Sequence, residues 1–437
     1  MRAPWIVLAA AAALLTDAPA HLGPHAADAA AMVPPAPYKA KEFTILEHGG
    51  VFHLFYMRRD GTQPVDGAFV DLGHATSTDL THWTQQPAVL PVRPDHWDNR
   101  EIWAPDLIER DGVFYLFYSA VTNNPPAEDL HQQIGLATST DLDTWQRFDQ
   151  PVFQCAGAPW TYCDPTTPVG GEFRDPFVMP DPSTPGATLM YFVARDDANR
   201  NQYLMGAARA TGDLTQWTSL GSFANLDQAK TGSSIIENPT LLPHDGLWYL
   251  FYTTWNAHPI QFQAGSDPLG APATWGPAIS LYSEIGWART DAWFGPETFS
   301  YAGHDYLAAV ESDDFTIEFW EIMWGANGAF SFGEPTVATP IAPSRASWGI
   351  TCRPATPRWQ RLEVLVSAPA AVRARVEVRD VAGRGRRHLF NGTLNAGATR
   401  LAWDGADDRG EPVRSGVYIV TVETPGVRLS RRVLRLR

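Results

Sequence analysis

The stretch REIWAPDLIERDGVFYLFYSA, Arg100–Ala120, places an acidic residue, Asp106, after Trp-Ala-Pro and at the start of a run built like a buried strand. The pattern recurs. GGVFHLFYMRR (Gly49–Arg59) is followed by GHATSTDLTHWTQQPAVL, and DGVFYLFYSAV (Asp111–Val121) by IGLATSTDLDTWQRFDQPVF. Looser copies are ATLMYFVARDD (Ala187–Asp197), DGLWYLFYTTW (Asp245–Trp255) and AGHDYLAAVES (Ala302–Ser312), each followed by a second strand and a Trp-bearing segment. A unit of several short strands repeated every 40 to 65 residues, roughly, buries its faces only against its neighbours, as the blades of a β-propeller do.

A short element precedes each copy: Lys41–Leu46, Pro105–Ile108, Arg174–Met179, Glu237–Leu242 and Pro296–Phe299. In a propeller these are the innermost strands. Each begins near a carboxylate, so several acidic groups point into one axial funnel, a costly arrangement unless they are solvated, share protons or meet a cationic or polyhydroxylated partner.

Bulk composition agrees with an all-β chain. The 437 residues include 35 Gly and 36 Pro, which helix interiors tolerate poorly. The formal charge of −15 repels a phosphate backbone and argues against nucleic acid as a partner. Charge is unevenly spread: from Arg358 onward 16 Arg face 8 acidic residues, against 17 cationic and 40 acidic residues before it. That shift marks a domain boundary.

The N-terminus has Arg2, an apolar core from Trp5 to Leu15 and Ala18-Pro19-Ala20. It reads as a secretory signal over 1–20, which gives a secreted, extracellular or cell-surface protein. Residues 21–37, rich in Ala and Pro, read as a linker. Cys155 and Cys163 are spaced for a loop disulfide, Cys352 is left over, and no Cys or His spacing suits a metal site. Beyond Pro354-Ala355-Thr356-Pro357, short alternating strands between Gly, Asp and Pro turns predict a small β-sandwich of about seven strands at most.

Trp103-Ala104-Pro105-Asp106, Arg174-Asp175-Pro176 and Glu237-Asn238-Pro239, in that order and each followed by an aromatic strand, resemble the five-bladed propeller glycoside hydrolases of families 43, 32, 68 and 117. The likeness runs over 38–354. It implies hydrolysis of furanoside or pentoside linkages in arabinan, xylan or fructan, with an oligo- or polysaccharide as substrate. It also implies three carboxylates at the funnel floor: Glu237 as general acid, Asp175 as the neighbour that orients substrate and tunes proton affinity, and Glu42 as base. The family has Asp, often Asp-Pro, where this chain has Lys41-Glu42-Phe43, and that departure motivates the rival reading, a non-catalytic carbohydrate-binding propeller. Part of the family carries a structural calcium on the propeller axis, but no ligand loop for one is visible here, and no other cofactor is expected.

Glycosidic cleavage needs one carboxyl protonated and one ionised, and crowding like charges forces one proton affinity upward. Trp103 is expected as a sugar-stacking wall, Arg174 as a partner of substrate hydroxyls or of Asp175, and Asp106 and Glu297 as further substrate-side acids. The repeated STDL-x-x-W segments, Ser77–Trp83 and Ser139–Trp145, are expected to be turns closed by their own side chains, with each Trp plugging between blades. The C-terminal Trp403-Asp404-Gly405, Asp407-Asp408-Arg409-Gly410 and Ser415-Gly416-Val417-Tyr418 resemble the Ig-like domain of the flagellar hook-cap protein FlgD, over 361–437. Such domains often serve attachment or sorting at the cell envelope, and the Arg excess suits anionic polymers.

Overall fold

The computed structural model describes residues 30–435 apart from 63–68, 125–128, 165–170, 224–234, 256–259, 272–273, 282–292, 313, 326–327, 334–348, 355–361, 369–370, 381–382 and 395–396. The signal segment therefore lies outside the described residues. The chain divides into two compact units between Thr339 and Pro340.

The first unit is a closed ring of five antiparallel sheets. Their innermost strands are Tyr38–His48, Glu101–Arg110, Phe173–Pro180, Ile236–His244 and Trp293–Tyr301, here blades one to five. Each packs against its neighbours around the ring, and the fifth against the first. Closure uses residues the sequence assigns to a linker. Ala31 and Met32 pair with Glu318 and Ile317 on the outer side of blade five, and Met32 is fully buried. Two apolar residues among Ala and Pro carry no local strand signal; the open edge they cover supplies the reason for the strand.

The STDL segments behave as turns. Asp79 Oδ1 accepts from the Thr81 and His82 N–H groups at 2.9 and 2.7 Å, and Asp141 Oδ1 accepts from those of Asp143 and Thr144 at 3.0 and 2.8 Å. Trp83 and Trp145 donate to the Leu80 and Leu142 carbonyls. Each Trp then reaches the preceding blade: Trp83 stacks on Phe319, Trp145 meets Phe55, Trp217 meets Phe117 and Trp275 meets Phe223. Cys155 and Cys163 form a disulfide, with Cα atoms 5.4 Å apart.

The second unit is a sandwich of a three-stranded and a four-stranded sheet around Trp403, Val376, Val378, Val420 and Val422. Gly349–Pro354, expected to end the propeller, instead pairs with Leu362–Ala368 in this unit, so the sandwich begins before residue 361. Its alternating pattern suits either sheet, and only the pairing partner decides. Tyr418 packs on Trp403 and donates to the Arg414 carbonyl at 2.9 Å.

Candidate active site

Every inner strand breaks register at the same level: between Ala40/Phe43, Trp103/Asp106, Arg174/Phe177, Glu237/Thr240 and Phe294/Glu297. In four blades the break is a residue of left-handed φ followed by Pro: Ala104 (40°), Asp175 (56°), Asn238 (54°) and Gly295 (58°). Proline has no N–H for the ladder, so the strand bulges and turns its preceding residue toward the axis. Blade one differs. Phe43 retains its N–H and pairs with Tyr56, and Glu42 stays outside the left-handed region.

This shared register stacks equivalent positions into tiers. Lys41, Trp103, Arg174, Glu237 and Phe294 form one; Glu42, Ala104, Asp175, Asn238 and Gly295 the next; Thr44, Asp106, Phe177, Thr240 and Glu297 the third. A small cavity sits on the bulges and is lined by residues of all five blades, Glu42, Asp175, Asn238 and Glu297 among them. Gly295 takes at no steric cost the left-handed backbone that Ala104, Asp175 and Asn238 also adopt, and the space beside its Cα borders Glu42.

Two cations organise the carboxylates. Arg174 lies 3.6 Å from Asp175 Oδ2 through Nε and 3.1 Å from Glu237 Oε1 through Nη2, with its guanidinium 4.7 Å from the Tyr203 ring centroid. Lys41 Nζ lies 3.1 Å from Glu42 Oε1. Asp175 accepts the Asn238 N–H at 3.2 Å, and Glu237 Oε2 accepts the Trp255 indole N–H at 2.8 Å.

Protonation follows from these contacts. Burial pushes Asp175 up to about 8, Arg174 opposes, and Glu42 and Glu237 add to the rise. Burial also works to raise Glu237, but Arg174, Lys41 and the hydrogen bonds from Trp255 and Arg174 outweigh it and hold the carboxyl below the usual glutamate range. Near neutrality the proton resides on Asp175 and Glu237 is ionised. Like-charge crowding was expected to raise Glu237, but the cations shield that residue and the repulsion falls on Asp175.

Glu42, Asp175, Arg174 and Glu237 thus come together at the bulge level. Asp106 and Glu297 lie one tier deeper. Thr44 Oγ1 donates to Asp106 Oδ1 at 3.1 Å and lies 3.5 Å from Glu297 Oε1, and the Val178 N–H donates to Asp106 Oδ2. Glu297 reaches the cavity floor; Asp106 links blades one, two and three. Trp103 is half-buried and packs with the apolar layer between blades one and two. Lys41, Asn238 and Trp255 were assigned no role from sequence. Lys41 was legible, since the repeat register sets it opposite Arg174; Trp255 ends a quoted strand, but its reach to Glu237 is a matter of geometry.

An axial calcium takes about six to eight oxygen ligands. Asp106 and Glu297 are already engaged by Thr44, and among the described residues no group of three or more His, Cys, Asp or Glu side chains is placed to hold a metal. The described residues do not fit a calcium cage.

Residues 61–275 match the model of glycosyl hydrolases family 43, and residues 360–426 that of the FlgD Ig-like domain. The family 43 match falls within the propeller and covers a little under half of the chain. Curated relatives include an extracellular exo-inulinase of Aspergillus niger, 29% identical over 160 residues that cover 31% of this chain and 28% of that one. Another is a levanase of a Bacillus species, 32% identical over 145 residues, 30% of this chain and 14% of that one. The chain thus spans under a third of the length of these relatives. A family 43 enzyme from Xanthomonas citri complexed with xylose superposes on the fold with a TM-score of 0.53 at 18% identity, over 69% of this chain and 92% of that one. A β-xylosidase, RS223, gives 0.51 at 16%, over 69% and 97%. At these identities the structural likeness concerns the fold of the family 43 domain.

Proposed function

We propose that this protein is a secreted glycoside hydrolase of furanoside or pentoside linkages, fructan type foremost, with Glu237 as general acid, Glu42 as base and Asp175 as the group that sets the proton balance between them. The observation that carries the reading is Arg174, which touches Asp175 and Glu237 at once and so draws the carboxyls of blades three and four to one level of the axis, where Glu42 of blade one also stands. Acid/base cleavage of a glycosidic bond requires such a group of carboxyls, and Glu237, ionised in the free site, has to take up a proton before it acts as the acid. Among the relatives are an exo-inulinase and a levanase, which favours fructan over xylan or arabinan.

Reducing-sugar release from inulin, levan, arabinan and xylan tests the proposal. Glu237→Gln is expected to lower kcat by about 10²- to 10⁴-fold, the usual worth of a general acid. The different backbone at Glu42 favours the second reading, a carbohydrate-binding propeller; glycan binding without turnover in wild type and Glu237→Gln alike would establish it instead.

For the sandwich, the reading is attachment to an anionic envelope polymer. Arg375, Glu423 and Arg428 lie in one row across three strands, and Arg379, Ile419 and Arg432 in another. Four arginines therefore mark the corners of a rectangle on one sheet face, about 14 by 10 Å from strand geometry.

A further inference from the structure

Glu237 has a partner on each oxygen. Arg174 Nη2 contacts Oε1 at 3.1 Å and the Trp255 indole N–H donates to Oε2 at 2.8 Å. Other charged groups acting on it are Lys41 from blade one and Asp175 beside Arg174. Both hydrogen bonds favour the carboxylate over the carboxylic acid. A general acid needs the opposite state at the moment of proton transfer.

Of the two donors, Arg174 is the fixed one. It is buried, also donates to Gln132 Oε1 and packs on the Tyr203 ring. Trp255 follows the last residue of the strand Leu247–Thr254 and is 66% exposed, the most exposed large hydrophobic side chain among the described residues. An indole so exposed offers an apolar face to solvent at the side of the acid.

We propose that Trp255 is a latch on Glu237: its N–H holds Oε2 until a sugar ring arrives at the axis, and displacement of the indole by that ring frees Oε2 to take up the proton used on the leaving group. This rests on the hydrolase reading for its purpose, though not for its detection. Trp255 is a positioning residue, and it couples occupancy to acidity. A site that waits for its ligand before protonating its acid spends less time in a reactive state open to water.

The test is Trp255→Phe, which removes the donor and keeps an aromatic face. Infrared difference titration against Glu237→Gln isolates the Glu237 carboxyl band in each background. Its midpoint is expected to rise by about one pH unit in Trp255→Phe, a tenfold change in proton affinity suited to one lost bond to a charged acceptor. Added inulin is expected to raise the wild-type midpoint and leave the variant's in place. For turnover, the basic limb of the kcat/KM profile, which reports the free enzyme, should lie below that of kcat in wild type, and the two should converge in Trp255→Phe. An unchanged midpoint in the variant, or an equal response of both proteins to inulin, overturns the latch. Wild type that turns over none of the four glycans sinks the hydrolase reading while the infrared titration still decides the latch.

Discussion

At the scale of single residues, the deepest acids carry a pH signature separate from catalysis. Asp106 is pushed up to about 7 by burial against the hydrogen bonds from Val178, Leu107 and Thr44, and Glu297 is raised well above the usual range by burial and by Asp106. Carboxyls whose proton affinity rises on folding stabilise the fold fully below their ordinary range near pH 4, and that contribution is lost as pH climbs through the folded value. Thermal stability should therefore decline from pH 5 to pH 8, roughly, with Asp175 adding to the slope. Asp106→Asn keeps an acceptor for Val178 and removes one titration; a Tm series against pH is expected to flatten by several degrees. The same residue shows where sequence reasoning stops. Asp106 and Asp175 sit two positions apart in equivalent motifs, after and before Pro, and that shift moves a carboxylate from an inter-blade tie to the cavity wall.

At the scale of elements, the Trp plug and the Pro bulge were unequally legible. The plug repeats its own letters, so its structural role could be read from STDL-x-x-W twice over. Trp145→Ala is expected to cost about 3 kcal/mol, the range for removing a large aromatic from an apolar layer, measured by denaturant unfolding. The bulge shares only Pro among four blades, while its left-handed position is filled by Ala, Asp, Asn and Gly in turn. Its regularity lies in backbone geometry, and side-chain spelling hides it. Blade one lacks the Pro, and this is why the base position could be named from sequence as Glu42 without any account of how its carboxylate is aimed.

At the scale of the whole molecule, the five copies made the propeller legible and the WDG and SGVY words made the sandwich legible, while both boundaries moved. Ala31–Met32 and Gly349–Pro354 are strands whose partners lie far away or in another sheet, and local pattern is silent about partners. Two units with separate cores should give two calorimetric transitions, and a chain ending at Thr339 should keep the higher part of any glycan turnover. Replacing Arg428 and Arg432 by Ser is expected to weaken retention on a polygalacturonate column several-fold without altering the propeller transition. Met32→Ala should lower propeller stability by about 3 kcal/mol, as for other fully buried side chains.

The pairing of Ala31–Met32 with Ile317 and Glu318 also sets an order of events. A ribosome makes the chain from its N-terminus, so one of the first strands to appear has no partner until nearly three hundred further residues exist. Until then the ring is a crescent with two raw sheet edges, and the cavity on its axis has only some of its walls. The acids of blades one, three and four acquire their shared environment in a single late step, so this protein's chemistry is assembled last, by a contact between its beginning and its final blade.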